Sequence, residues 1–175
     1  MLVPILMFSR WSRERHVAYH RPVEAGHRER LERERKRLVL AVADMKHVAV
    51  AAAHLAAYGR EMNAHAERVM QTGLVVTYAR SYVKSQRSSH GAIEGRLAKP
   101  EDPWLRDLHK GLLAARCDVF AVNDAAPWQR ATFPIGRFHV PFGHPVYGAI
   151  EGLANAQRVL LQARLDEVER ELAAG

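Results

Sequence analysis

The sequence predicts an all-α protein: an up-down bundle of four to five helices, with one long helix and a long loop rich in Pro, Gly and aromatic residues. Three observations carry this expectation. No proline stands between Glu24 and Gln71, and along that stretch Ala41, Met45, Val48, Ala52, Leu55, Gly59, Met62, Ala66 and Val69 recur at alternating spacings of four and three. Such a narrow heptad-like seam belongs to a helix packed against another helix. Asp102-Pro103 then combines an N-cap acceptor with a first-turn proline, and Leu105, Leu108, Leu112, Ala115, Val119 and Val122 follow as one apolar stripe. A third stripe, Ile150, Leu153, Gln157, Leu161, Leu165, Val168 and Leu172, marks a C-terminal amphipathic helix.

The elements follow in order. Residues 1–22, rich in Arg and His and poorly periodic, read as a poorly packed N-terminal arm ahead of a helical domain at 23–175. Glu24 to Gln71 reads as one very long helix or two in tandem, closed by Thr72-Gly73, because Gly commonly stands just past a helix end. Ala52, Gly59 and Ala66, a heptad apart, leave room for a close neighbour. Leu74–Ser88 begins with β-branched residues, yet Val75, Ala79, Tyr82 and Val83 share a helical face, so it reads as helix. Residues 89–101 read as a loop. Pro127, Pro134, Gly136, Pro141, Gly143 and Pro145 exclude a regular helix over 123–146. A loop of that length in a compact domain is functional, mobile or hides a short hairpin. Its five aromatics, with Arg130, Arg137, His139 and His144 among them, pin the loop to the bundle more simply than they stack bases.

The chain has 175 residues, with 26 Lys and Arg against 19 Asp and Glu. One cysteine forms no internal disulfide and no Cys-rich zinc site, which points to a reducing, cytoplasmic setting. The early apolar run, Met1 to Phe8, is broken by Pro4 and is short of the ~20 residues a membrane span needs. It also lacks the preceding basic residues of a secretion signal, so neither insertion nor secretion is expected.

The net charge of +7 is unevenly spread. Residues 10–37 hold ten basic and five acidic residues, and from Arg28 to Arg37 the signs alternate as on a solvated helix face. Residues 80–116 hold eight basic and four acidic residues, while 117–175 are net acidic. The basic block at 80–116 is therefore the better candidate for a phosphate site.

Several chemistries have no candidate. There is no Walker A pattern, no glycine trio after a strand and no Gly-x-Ser-x-Gly. His47, His54, Glu61 and His65 line one side of the long helix, but no second helix repeats such a pair. They read as a polar flank, and neither metal nor cofactor is expected. Cys117 follows Arg116, whose charge favours a thiolate, but without an adjacent base it reads as a packing cysteine.

One segment carries a resemblance. Leu108 to Asp124, reading LHKGLLAARCDVFAVND, resembles the signature helix of the HEPN superfamily of small helical-bundle proteins. Upstream, Thr77 to Ser85, reading TYARSYVKS, is similar to a helix of some bacterial members. The family pattern places a His four to six residues after an Arg, often as Arg…Phe-Ala-His-x-Asp. Arg116, Phe120-Ala121 and Asp124 match it, and Val122 stands where the His belongs.

The resemblance implies a dimeric, metal-independent ribonuclease scaffold of toxin–antitoxin or phage-defence type. In such a scaffold the Arg stabilises phosphate charge and the His transfers a proton around the attacking 2′-OH. Valine does neither, and loss of an acid–base group costs typically 10²–10⁴-fold. The implied protein is a binder of RNA or a nucleotide with a degenerate site. Arg116 and His109 are its catalytic-position candidates, and Arg80, Lys84, Arg87, Asn123 and Asp124 its binding candidates. Alternatives are an active endoribonuclease using another His, and a non-catalytic protein that uses the 41–69 seam to form a homodimer or dock a protein partner.

Overall fold

The computed structural model describes residues 8–83, 93, 100–121, 132–135, 138–141 and 144–174, with side-chain surroundings for 26–83, 93, 100–116 and 146–174. Among these residues the chain forms the expected helical bundle. Four helices, α1 (Phe8–Tyr58), α2 (Ala64–Arg80), α3 (Pro103–Ala121) and α4 (His144–Ala174), are joined by one hairpin, β1 (Thr132–Ile135) and β2 (Phe138–Pro141). The proline-rich loop thus contains a short antiparallel ladder, with Phe133 opposite Val140 and Pro134 opposite His139. β1 packs beside α3.

α1 and α4 make the most extensive contact, and they run antiparallel. Arg164 donates to Glu34 at 2.8 Å and Arg35 to Glu169 at 2.9 Å, at the far end of the pair from the turn after Tyr58. The heptad seam is real and extends toward the N-terminus: Leu31, Leu38, Ala41, Met45, Val48, Ala52 and Leu55 are all buried. Its partner stripe on α4 is Tyr147, Ile150, Leu153, Ala154, Gln157, Leu161, Leu165 and Val168. The seam's partner is therefore a helix of the same chain. At roughly 1.5–3 kcal/mol for each large apolar side chain taken out of water, this interface dominates the fold's cohesion.

By length and composition, Gly26–Tyr58 is also apolar enough to cross a membrane. Its seam side chains are occupied inside the bundle, as in the core helix of many folded domains.

The seam stops earlier than the sequence suggests. α1 ends at Tyr58, and the chain turns through Gly59–Met62, with Gly59 N–H donating to the Leu55 carbonyl at 2.9 Å. A Cβ on Gly59 would run into that same carbonyl, which explains the glycine. Asn63 then caps α2, its side chain accepting from the Ala66 N–H at 2.8 Å. Thr72-Gly73 is no helix end. Gly73 lies in the interior of α2 on its exposed side, and the Thr72 hydroxyl is absorbed by the Arg68 carbonyl at 2.8 Å. Beyond the turn the former seam is abandoned, and Val69 is exposed.

α2 buries Leu74, Val75, Tyr78 and Ala79 and ends at Arg80, sooner than the expected Ser88. α3 starts as expected: Asp102 Oδ1 accepts from Trp104 N–H at 2.7 Å and from Leu105 N–H at 3.3 Å. Leu108, Leu112 and Ala115 are buried from its stripe. α4 begins at His144, inside the segment read as loop, with Pro145 in its first turn where a missing N–H costs little. The backbone of residues 8–22, read as an arm, is the first part of α1, while the packing of those side chains lies outside the described residues.

Candidate functional site

Where α2 meets α3 and α4, a polar and aromatic cluster sits inside the bundle. Tyr78, in the last turn of α2, and Tyr82, just past its end, project to the same side, with ring centroids 5.2 Å apart. His109, from the second turn of α3, meets them edge-on at 5.8 Å from Tyr78 and 4.9 Å from Tyr82. The Tyr78 hydroxyl lies 2.7 Å from His109 Nδ1. The Tyr82 hydroxyl donates to Gln157 Oε1 of α4 at 3.1 Å, with Met45 Sδ of α1 at 3.8 Å. Four helices thus contribute to one cluster.

Burial sets the protonation of this group. It pushes the Tyr78 and Tyr82 phenols well above their ordinary value of 10.0. It lowers the His109 imidazole below its ordinary 6.5. Near neutral pH the Tyr78–His109 bond joins two uncharged groups, as a buried hydrogen bond of this kind requires. His109 is only 6% exposed. Gln157 is completely buried, and its Nε2 has no hydrogen-bond partner among the described residues.

Between Tyr78 and Tyr82 in sequence, Arg80 forms a fork with Asp44 of α1. Its Nε donates to Oδ2 at 2.9 Å and its Nη2 donates to Oδ1. The Ser81 hydroxyl lies 3.4 Å from the same Oδ2. The pair is asymmetric: the Arg80 side chain is 67% exposed and that of Asp44 4%. The carboxylate is therefore a buried anchor that holds a guanidinium at the surface.

A second tether lies nearer the turn after α1, where the buried Tyr147 donates to Glu67 Oε1 at 3.1 Å and also meets Gln71. Burial, reinforced by Glu67, pushes that phenol up to about 12.

The expected site residues divide into three groups. Arg80 is present at the surface but committed to Asp44. His109 is turned into the core, two helical turns from the half-buried Arg116 on α3, about 10 Å by helix rise. Lys84, Arg87, Asn123 and Asp124, together with Val122, lie outside the described residues. Of the histidine flank, His47, His54, Glu61 and His65 are exposed. Among the described residues no group of three His, Cys, Asp or Glu side chains converges as a metal site.

Asp44, Tyr78 and Gln157 join the cluster without having been singled out as functional. Each left a signal: an acid inside an apolar seam, a tyrosine one turn from Tyr82, and a single amide in the α4 stripe.

These features define a helical bundle with a neutral Tyr–His–Gln core cluster and an anchored surface arginine. No known protein family, no curated protein and no solved structure matches the chain.

Proposed function

We propose that the chain is a HEPN-like protein that binds RNA or a nucleotide through phosphate contacts at the α2–α3 end of the bundle, without efficient cleavage. One observation carries the reading: the two stretches that resemble the family, on α2 and α3, pack directly against each other through Tyr78, Tyr82 and His109. That packing makes Arg80 and Arg116 products of adjoining helices. Arginine suits a phosphate because its planar fork pairs two oxygens and remains charged.

The state of His109 supports binding over catalysis. A proton-transfer group must come within hydrogen-bond reach of its substrate. His109 is withdrawn from solvent, held by Tyr78 and disfavoured as an imidazolium. With Val122 at the family's His position, neither residue supplies the acid–base partner that Arg116 needs.

The test is incubation of mixed RNA with purified protein in EDTA. Wild type is expected to leave the RNA intact, and Val122→His to introduce cleavage that Arg116→Ala removes. Cleavage by wild type, abolished in Arg116→Ala, would make the protein an active ribonuclease instead.

A further inference from the structure

Outside the α2–α3 region, an open groove of about 690 Å³ lies between α1 and α4. Val39 and Ala43 of α1 and Val159 and Ala163 of α4 give it an apolar lining. Two of these are large side chains standing in water, with Val159 64% and Val39 44% exposed. α1 is thus apolar on two sides: one is consumed by the seam, and the other has no partner within the described residues.

The charges around the groove have a definite arrangement. Lys46 and Arg158 line one end and Asp166 the other. None of the three forms an ion pair among the described residues. Asp166 is steadied by Gln162, whose Nε2 donates to Oδ1 at 2.8 Å. Because α1 and α4 run antiparallel, Lys46 and Arg158 stand level with each other. Asp166 lies eight residues further along α4, about 12 Å by helix rise.

That arrangement is self-complementary. A two-fold axis through the middle of the groove, near Gln162, turns the positive end of one copy onto the negative end of another. Lys46 and Arg158 then face the second copy's Asp166, twice over. The same rotation brings Val159, the more exposed of the two valines, over the Val39 end of the opposing groove. A two-fold contact requires one patch to complement itself, and this patch does so in charge.

We infer that the α1–α4 groove is a homodimer interface whose occupant is the same groove of a second copy. The inference does not rest on RNA binding, because the groove involves neither α2 nor α3.

The test is sedimentation velocity of the full chain at high micromolar concentration, with helicity checked by circular dichroism. Wild type should be a dimer. Asp166→Arg, which sets three cations against three, should raise the dimer dissociation constant by about 100-fold or more. Lys46→Glu with Arg158→Glu should weaken the dimer similarly, and the three changes together should restore it. Val159→Glu should also give folded monomer, while Val69→Glu, on exposed α2 surface, should leave the dimer intact. A monomeric wild type, or a dimer indifferent to Asp166→Arg and Val159→Glu, overturns the inference. Sedimentation of a monomeric wild type with anionic phospholipid vesicles, lost in Val159→Glu, would assign the groove to a membrane surface and overturn it equally.

Discussion

The Tyr78 hydroxyl and His109 Nδ1 meet at 2.7 Å in the core, a neutral hydrogen bond that ties α2 to α3. It fixes His109 as a structural residue of the bundle. Its removal is measurable. Tyr78→Phe deletes the hydroxyl, leaves a buried imidazole nitrogen without a partner, and should cost about 1–3 kcal/mol in urea unfolding. An unchanged midpoint would show that the bond contributes nothing.

The same bond predicts a pH dependence. The folded His109 has a pKa below its ordinary 6.5, so the unfolded chain takes up the proton first as pH falls. Stability should be full above pH 6.5 and decline as pH drops through that value toward the lowered one. His109→Phe, neutral at every pH, should flatten this part of the profile. A wild-type profile that matches the variant from pH 7 to 5 would contradict a buried neutral imidazole.

Asp44 and Arg80 form the second interhelical tie, and their asymmetry predicts unequal mutant costs. Arg80→Ala strands a carboxylate that is 4% exposed and should cost about 2–4 kcal/mol, within the range for breaking a buried pair after allowance for the exposed guanidinium. Asp44→Ala leaves an arginine that can turn to water, and should cost less. A double-mutant cycle in denaturant should return a coupling of about 1–3 kcal/mol. Strict additivity would mean the fork has no energetic weight.

Two glycines make opposite predictions. Gly59→Ala forces a Cβ against the Leu55 carbonyl and should destabilise the protein by about 1–3 kcal/mol. Gly73→Ala meets nothing within 4 Å in the interior of α2 and should stabilise it by about 0.5–1 kcal/mol. Thermal melting of the two variants decides whether the helix break lies at Gly59 or at Gly73.

That pair also shows where sequence reading reaches its limit. The seam from Ala41 to Leu55, the α3 start at Asp102-Pro103 and the α4 stripe were legible because repeating apolar spacing and caps are local signals. Gly59 and Gly73 look alike in sequence. Only the close carbonyl at one and the open space at the other separate them. The hairpin at 132–141 was one of three readings for its loop, since prolines exclude helix without specifying a ladder. In the site, Arg80 and His109 were identifiable as candidates by composition and resemblance. Their commitments to Asp44 and Tyr78, 36 and 31 residues away in sequence, depend on how the helices pack, which no local pattern encodes.

The proposed function requires that phosphate contacts from the α2–α3 end hold RNA. The most direct measurement is fluorescence anisotropy of a labelled single-stranded RNA, titrated with the protein over a range of salt concentrations. Two or three phosphate contacts should give a log–log slope of about −1.4 to −2.1, and Arg116→Ala should weaken binding and reduce the slope by about 0.7. No binding at low salt, or binding indifferent to salt and to Arg116, would contradict RNA binding through phosphate contacts at this end of the bundle.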